Sequence, residues 1–132
     1  MFEVTVEHTF AAAHYLRDYK GKCERLHGHN YKIFVTMRGT QLDKAGMLVD
    51  FTELKRALQA VTEPYDHQFI NELAPFDTLN PSAENIARFF AEKLMDELKV
   101  SVPVEVAEVR VYETEKQSAV YKPASSPILA SL

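Results

Sequence analysis

The stretch His27-Gly28-His29-Asn30-Tyr31-Lys32-Ile33-Phe34-Val35-Thr36-Met37-Arg38 decides how this chain folds. From Tyr31 onward, Tyr31, Ile33, Val35 and Met37 fall on every second position, the period of a strand with one buried face. Upstream, Phe2–Phe10 repeats that period. Phe2, Val4, Val6 and His8 lie on one side, and Glu3, Thr5 and Glu7 on the other. A polar loop, roughly Leu16–Leu26, separates the two strands. Downstream the period changes. Asp50 offers an N-cap acid with Glu53 three residues on, a capping-box-like start, and Leu54, Ala57, Leu58 and Val61 follow at helical spacing until Pro64 ends the run. A second helix starts near Asn80-Pro81-Ser82, with proline accommodated at its first position. Its apolar stripe is Ile86, Phe89, Phe90, Leu94 and Leu98, and Pro103 closes it. A third strand runs about Val104–Thr114, with Val109, Val111 and Glu113 sharing a face opposite Glu108, Arg110 and Tyr112. A fourth covers Ser118–Lys122. The order ββααββ predicts an α+β domain: a four-stranded antiparallel sheet with two helices on one face.

The chain has 132 residues, 46% hydrophobic and 26% charged, which fits one folded domain and excludes a disordered chain. Its net charge of -4 provides no overall basic excess for binding nucleic acid. No apolar run is long enough to cross a bilayer, and the acidic start Met1-Phe2-Glu3-Val4 is unlike a signal peptide. With Cys23 as its one cysteine, the fold does not rely on an internal disulfide. A reducing cytoplasm is the compartment expected from these features. No linker or repeat divides it, so residues 1–121 are read as one domain and 122–132 as a tail.

The chemistry lies in the histidines: His8, His14, His27, His29 and His67. On an extended strand His27 and His29 point to one face and can reach one ion, with Gly28 leaving the space between them clear. His14 ends the run Phe10-Ala11-Ala12-Ala13-His14 and comes beside them if the first two strands pair. Three histidines with an open fourth position describe a catalytic zinc better than a structural one, and neutral imidazole suits zinc better than magnesium or calcium. His8 is a rival ligand on period alone. Cys23 sits in a polar loop where cations and a metal favour thiolate, as a fourth ligand or, preferably, as a base that leaves the metal open to substrate. Asp66-His67 can form an acid–base dyad only through a tight turn, since adjacent residues do not ordinarily face each other. Glu113 is a strand-end carboxylate able to accept two N–H bonds from a flat heterocycle. Residues 17–38 gather Arg17, Lys20, Lys22, Arg25, Lys32 and Arg38 against Asp18 and Glu24, either a solvated surface or a lure for an anionic substrate such as a phosphate ester.

Six blocks in order, Phe10–His14, Cys23–Tyr31, Val49–Phe51, Tyr65–His67, Asn80–Asn85 and Tyr112–Thr114, resemble the 6-pyruvoyl-tetrahydropterin synthase family nearly to Tyr121. Only three residues, Glu24 to Leu26, stand between Cys23 and His27. That interval resembles the 6-carboxy-5,6,7,8-tetrahydropterin synthase branch, whose product feeds queuosine and other deazapurines. The 6-pyruvoyl-forming enzymes have a longer interval. The resemblance implies the tunnelling fold, in which trimers join their sheets into a barrel and two trimers stack as a homohexamer with active sites between subunits. It implies Zn2+ on His14, His27 and His29, Cys23 as base, Asp66 and His67 as a second acid–base pair, Glu113 gripping a pterin, and Ser82 and Glu84 beside it. Helix capping explains Ser82 and Glu84 equally well. The implied reaction converts 7,8-dihydroneopterin triphosphate to 6-carboxytetrahydropterin, acetaldehyde and triphosphate. The alternatives are the 6-pyruvoyl reaction and a non-catalytic zinc or pterin binder. The chain departs from the family at Gln68, often a second histidine, at Glu115–Ser118, which lacks a common glycine, and in the tail from Lys122.

Overall fold

A computed structural model describes residues 1–18 and 25–124. Strand β1 (Phe2–His14) pairs antiparallel with β2 (His27–Gly39) along their whole lengths, from Phe2↔Gly39 to His14↔His27. Strand β1 is longer than its hydrophobic alternation, because Ala11, Ala12 and Ala13 continue the ladder without a large side chain to mark it. Helix α1 (Phe51–Thr62) follows. A two-residue strand β3 (Gln68–Phe69) comes next, then helix α2 (Ala83–Glu97) and strands β4 (Glu105–Thr114) and β5 (Gln117–Tyr121). The sheet order is β3-β1-β2-β4-β5. Four strands form the expected antiparallel sheet, and β3 adds a fifth, parallel to β1 through Ala12↔Gln68 and Ala13↔Phe69. Two residues are too few to show alternation, so the periodicity could not announce β3.

One sheet face is apolar and covered by both helices. Val6, Phe10, Tyr31, Ile33, Val35, Met37, Val109 and Val111 meet Leu54, Leu58, Ile86, Phe90 and Leu94 in a single core. Phe90 stands edge-on to Phe10 at 5.7 Å, and Phe10 stacks on Tyr31 at 5.0 Å. The other face carries polar pairs such as Thr5 and Thr36, whose hydroxyls lie 2.8 Å apart.

The helix starts differ from the expected ones in two details. Asp50 caps α1 by accepting from Thr52 N–H at 2.8 Å. Glu53 does not reach back to complete a capping box: its carboxylate binds Arg56 at 2.7 and 2.8 Å and the Lys99 N–H at 2.9 Å, tying α1 to the end of α2. Pro81 is not the first residue of α2. Ser82 is the cap and accepts from Asn85 N–H, so Pro81 precedes the helix and its carbonyl is free for another task. No helix among the described residues is long and apolar enough to cross a membrane.

Candidate metal centre

The register His14↔His27 and Ala12↔His29 puts His14, His27 and His29 on the helix-facing side, at one end of the β1–β2 ladder. One ligand atom from each lies within 4.8 Å of the others. Their tautomers follow from their partners. A carbonyl oxygen only accepts, so His14 Nδ1–H donates to Pro81 O at 2.8 Å, and His27 Nδ1–H donates to Arg25 O at 2.7 Å. Each ring therefore turns an unprotonated Nε2 inward, and these two nitrogens are 3.0 Å apart. Two lone pairs face each other there with no proton to share. Nitrogens held about 2.0–2.1 Å from one tetrahedral ion stand roughly 3.3 Å apart. The buried His29 Nε2 has no hydrogen-bond partner among the described residues. An ion bound by the three Nε2 atoms satisfies all of them, and carbonyl partners on the far ring nitrogens are the usual outer support of metal-bound histidine. These three histidines can hold a metal ion.

Burial pushes the His14 pKa down to about 4 from an ordinary 6.5, with His27 and His29 pushing the same way and the Pro81 carbonyl opposing them. Burial also lowers His29. Between pH 4 and 6.5 the unfolded chain binds a proton at His14 that the folded chain refuses. Stability of the metal-free protein therefore rises with pH across that window and is lost on acidification. Its melting temperature should fall through the window more steeply than that of His14→Gln; equal slopes would contradict this account of His14.

Tyr31 continues the face formed by His27 and His29. Its ring is fully buried, and its hydroxyl lies 2.9 Å from His14 Nδ1 and 3.3 Å from Nε2. Burial, with help from the negative charge of Glu113, raises its pKa far above the ordinary tyrosine value, so the phenol stays neutral. It was read from the sequence as a core residue. The signal was present, because the same every-second-residue period that buries Ile33 also aligns Tyr31 with both histidines. His8 is no ligand. It lies six residues up the strand from His14, about 20 Å at strand rise, and its Nε2 is 3.0 Å from Thr62 Oγ1. Gly28 is not needed to clear space either: an added Cβ would meet nothing nearer than Ala12 O at 3.8 Å.

The Asp66-His67 pair is coupled through the tight turn it requires. His67 has a positive φ of 59°, which folds its ring back so that Nδ1 lies 2.9 Å from Asp66 Oδ1. That oxygen also accepts from Ala11 N–H at 2.9 Å, while His67 N–H donates to Ala11 O at 2.6 Å. Both residues are thereby pinned to β1 three positions before His14. The His67 side chain is 80% exposed, and with His29 it borders a cavity of about 430 Å³.

Glu113 sits where the β4–β5 pairing shifts between Tyr112 and Thr114. Such irregularities re-aim a side chain. Burial raises its pKa, His27 opposes that rise and Glu84 adds to it. Glu113 lines a cavity of about 240 Å³ with Ser82 and Glu84, and another of about 700 Å³ that also reaches His29. The structure therefore brings Ser82, Glu84 and Glu113 together beside the histidines. Cys23, with Lys20, Lys22 and Glu24, lies outside the described residues.

Among the described residues, the basic cluster does not form a single surface. The Arg17 guanidinium donates to Phe76 O at 2.9 Å and to Leu79 O and Asn71 O at 3.4 Å, and it lies over the Tyr15 ring. Arg38 pairs with Glu105 at the far end of the sheet. The Arg17 guanidinium is thus engaged by main-chain carbonyls, and Arg38 is remote from the histidines. Sequence distance hid this, since the groups that bind Arg17 are backbone carbonyls more than fifty residues away.

Comparison with known proteins gives a consistent picture. A family model described as 6-pyruvoyl tetrahydropterin synthase matches residues 3–124. The chain is 32% identical to a 6-carboxy-5,6,7,8-tetrahydropterin synthase of Haemophilus influenzae, over 92% of this chain and 99% of that protein. It is 35% identical to the human 6-pyruvoyl tetrahydrobiopterin synthase, over 77% of this chain and 71% of that one. The solved structure of Caenorhabditis elegans 6-pyruvoyl tetrahydropterin synthase superposes with a TM-score of 0.78 at 31% identity, covering 94% of this chain and 98% of the other.

Proposed function

The chain belongs to the 6-pyruvoyl tetrahydropterin synthase family, and from that premise we propose that it is a zinc-dependent lyase converting 7,8-dihydroneopterin triphosphate and one water to 6-carboxy-5,6,7,8-tetrahydropterin, with release of acetaldehyde and triphosphate. The observation that carries the reading is the convergence of one ligand nitrogen from each of three histidines, with His14 and His27 fixed by carbonyls behind their rings and the buried His29 Nε2 left without a hydrogen-bond partner among the described residues. The donor set among the described residues is three imidazole nitrogens, which suits a zinc that keeps a position for substrate. Bound there, zinc would polarise the substrate's side-chain oxygens and acidify neighbouring C–H and O–H bonds.

The chain's own residues supply the rest. His14, His27 and His29 hold the ion. Cys23, as thiolate, removes a proton from the substrate side chain. His67, oriented by Asp66, exchanges protons on the opposite side. Glu113 accepts two N–H bonds from the amino-pyrimidinone edge of the pterin, and Ser82 and Glu84 border the same cavity. Burial raises the Glu113 pKa, and the paired N–H donors of a bound pterin favour its ionised form. Glu113→Ala should raise KM by about tenfold or more, the size expected for loss of charge-assisted hydrogen bonds. An unchanged KM would remove the anchor role.

The carboxy branch is favoured by the three-residue interval between Cys23 and His27. The 6-pyruvoyl reaction stays as the second reading because relatives bearing that name match at similar identity. Product analysis separates them. Anaerobic incubation of zinc-loaded protein with the substrate should yield 6-carboxytetrahydropterin and acetaldehyde; a 6-pyruvoyl product would overturn the branch and keep the family. The proposal includes a cytoplasmic homohexamer with active sites between subunits, formed when sheets join at their open edges, β3 and β5.

A further inference from the structure

On its β3 side, main-chain pairing of β1 ends at Ala13↔Phe69. Two residues further along each segment, the Asn71 side chain takes over. Its Oδ1 accepts from Tyr15 N–H at 2.9 Å, and its Nδ2 donates to Tyr15 O at 3.0 Å. Asn80 treats Arg17 in the same way: Oδ1 accepts from Arg17 N–H at 2.7 Å, and Nδ2 donates to Arg17 O at 2.8 Å. A primary amide has one acceptor and two donors on one plane, so it can serve both main-chain groups of a residue as a neighbouring strand would. The two amides therefore extend the pairing of this strand past the end of the sheet, Asn71 in the register of β3 and Asn80 from further along the chain. His14 lies between the last main-chain pair and the first side-chain pair.

The second amide also fixes the ring of His14. Asn80 is followed by Pro81, whose carbonyl accepts from His14 Nδ1–H. The Asn80 carbonyl in turn accepts from Asn85 Nδ2 at 2.9 Å, which ties this segment to the first turn of α2. Asn80 thus links the backbone just after His14 to the carbonyl that sets its tautomer. Asn71 is only 5% exposed, so its removal strands two main-chain groups beside the centre.

We propose that Asn71 and Asn80 are positioning residues of the metal centre, holding the His14 backbone and the Pro81 carbonyl in the relation that points His14 Nε2 at the ion. This rests on the three-histidine metal reading. A sheet end alone would not do it, because the chain leaves β1 directly after His14 and main-chain pairing with β3 stops one residue before it.

The test compares zinc affinity, by chelator competition, and the visible spectrum of the Co2+-loaded protein. The proteins are wild type, Asn71→Ala, Asn80→Asp and Met37→Ala. Asn80→Asp keeps the size and the acceptor for Arg17 N–H but sets a second acceptor against Arg17 O. Met37 is fully buried eight residues along β2 from His29, so its truncation lowers stability far from the centre. Either asparagine variant should bind zinc about 10–100-fold more weakly, the range for loss of outer support, with an altered Co2+ spectrum, while Met37→Ala matches wild type in both. Should Asn71→Ala fail to fold, the near-isosteric Asn80→Asp decides. Wild-type affinity and spectrum in a folded asparagine variant would overturn the proposal and leave the metal reading standing. A wild-type protein that takes up no metal would overturn both.

Discussion

Replacing Cys23 by alanine should leave zinc content and assembly unchanged and lower turnover by about 10²–10⁴-fold, the contribution of a positioned proton-transfer group. The expectation comes from the donor set. Three imidazole nitrogens are a sufficient protein set for a catalytic zinc, and a thiolate kept off the metal leaves a position for substrate, whereas a substrate C–H bond requires a base. Zinc analysis and steady-state kinetics on one preparation decide the matter. Parallel loss of metal and activity would make Cys23 a ligand. Full activity with full zinc would remove it from the chemistry.

His27→Ala should lose stoichiometric zinc, with turnover falling to background. His27 gives its Nε2 to the centre and its Nδ1–H to Arg25 O, so one substitution deletes a ligand and the contact that orients it. The loss should exceed the roughly 10–100-fold penalty of removing an outer-shell partner alone. The metal-free variant should keep its fold, since His27 lies at the sheet end and outside the apolar core. Zinc retained at one per chain would sink the three-histidine assignment.

Much of this was legible in the sequence, for identifiable reasons. Alternation located β2 and most of β1, and helical spacing located α1 and α2, because burial on one face writes a period into the chain. His14, His27 and His29 were legible because His-Gly-His has strand spacing and the loop between two pairing strands returns the chain to His14. Other features left no side-chain signal. The last part of β1 is alanine, and β3 has two residues. Pro81 and Arg25 act through main-chain carbonyls, which any residue supplies. Asp66-His67 needed a positive φ at His67 that the dipeptide does not announce. Nothing in the sequence singles out Asn71, and Asn80 reads only as part of a helix start, yet each makes two hydrogen bonds to a residue more than fifty positions away. Arg17 looked like a candidate for binding anions until its carbonyl partners were known.

The most direct test of the central claim is metal reconstitution. Protein stripped by a chelator is titrated with zinc while triphosphate release from 7,8-dihydroneopterin triphosphate is followed anaerobically. The account predicts no release from stripped protein and activity that rises linearly to a break at one zinc per chain, with no such recovery in His27→Ala. Unchanged turnover after stripping, or a break point that His27→Ala shares, would contradict it.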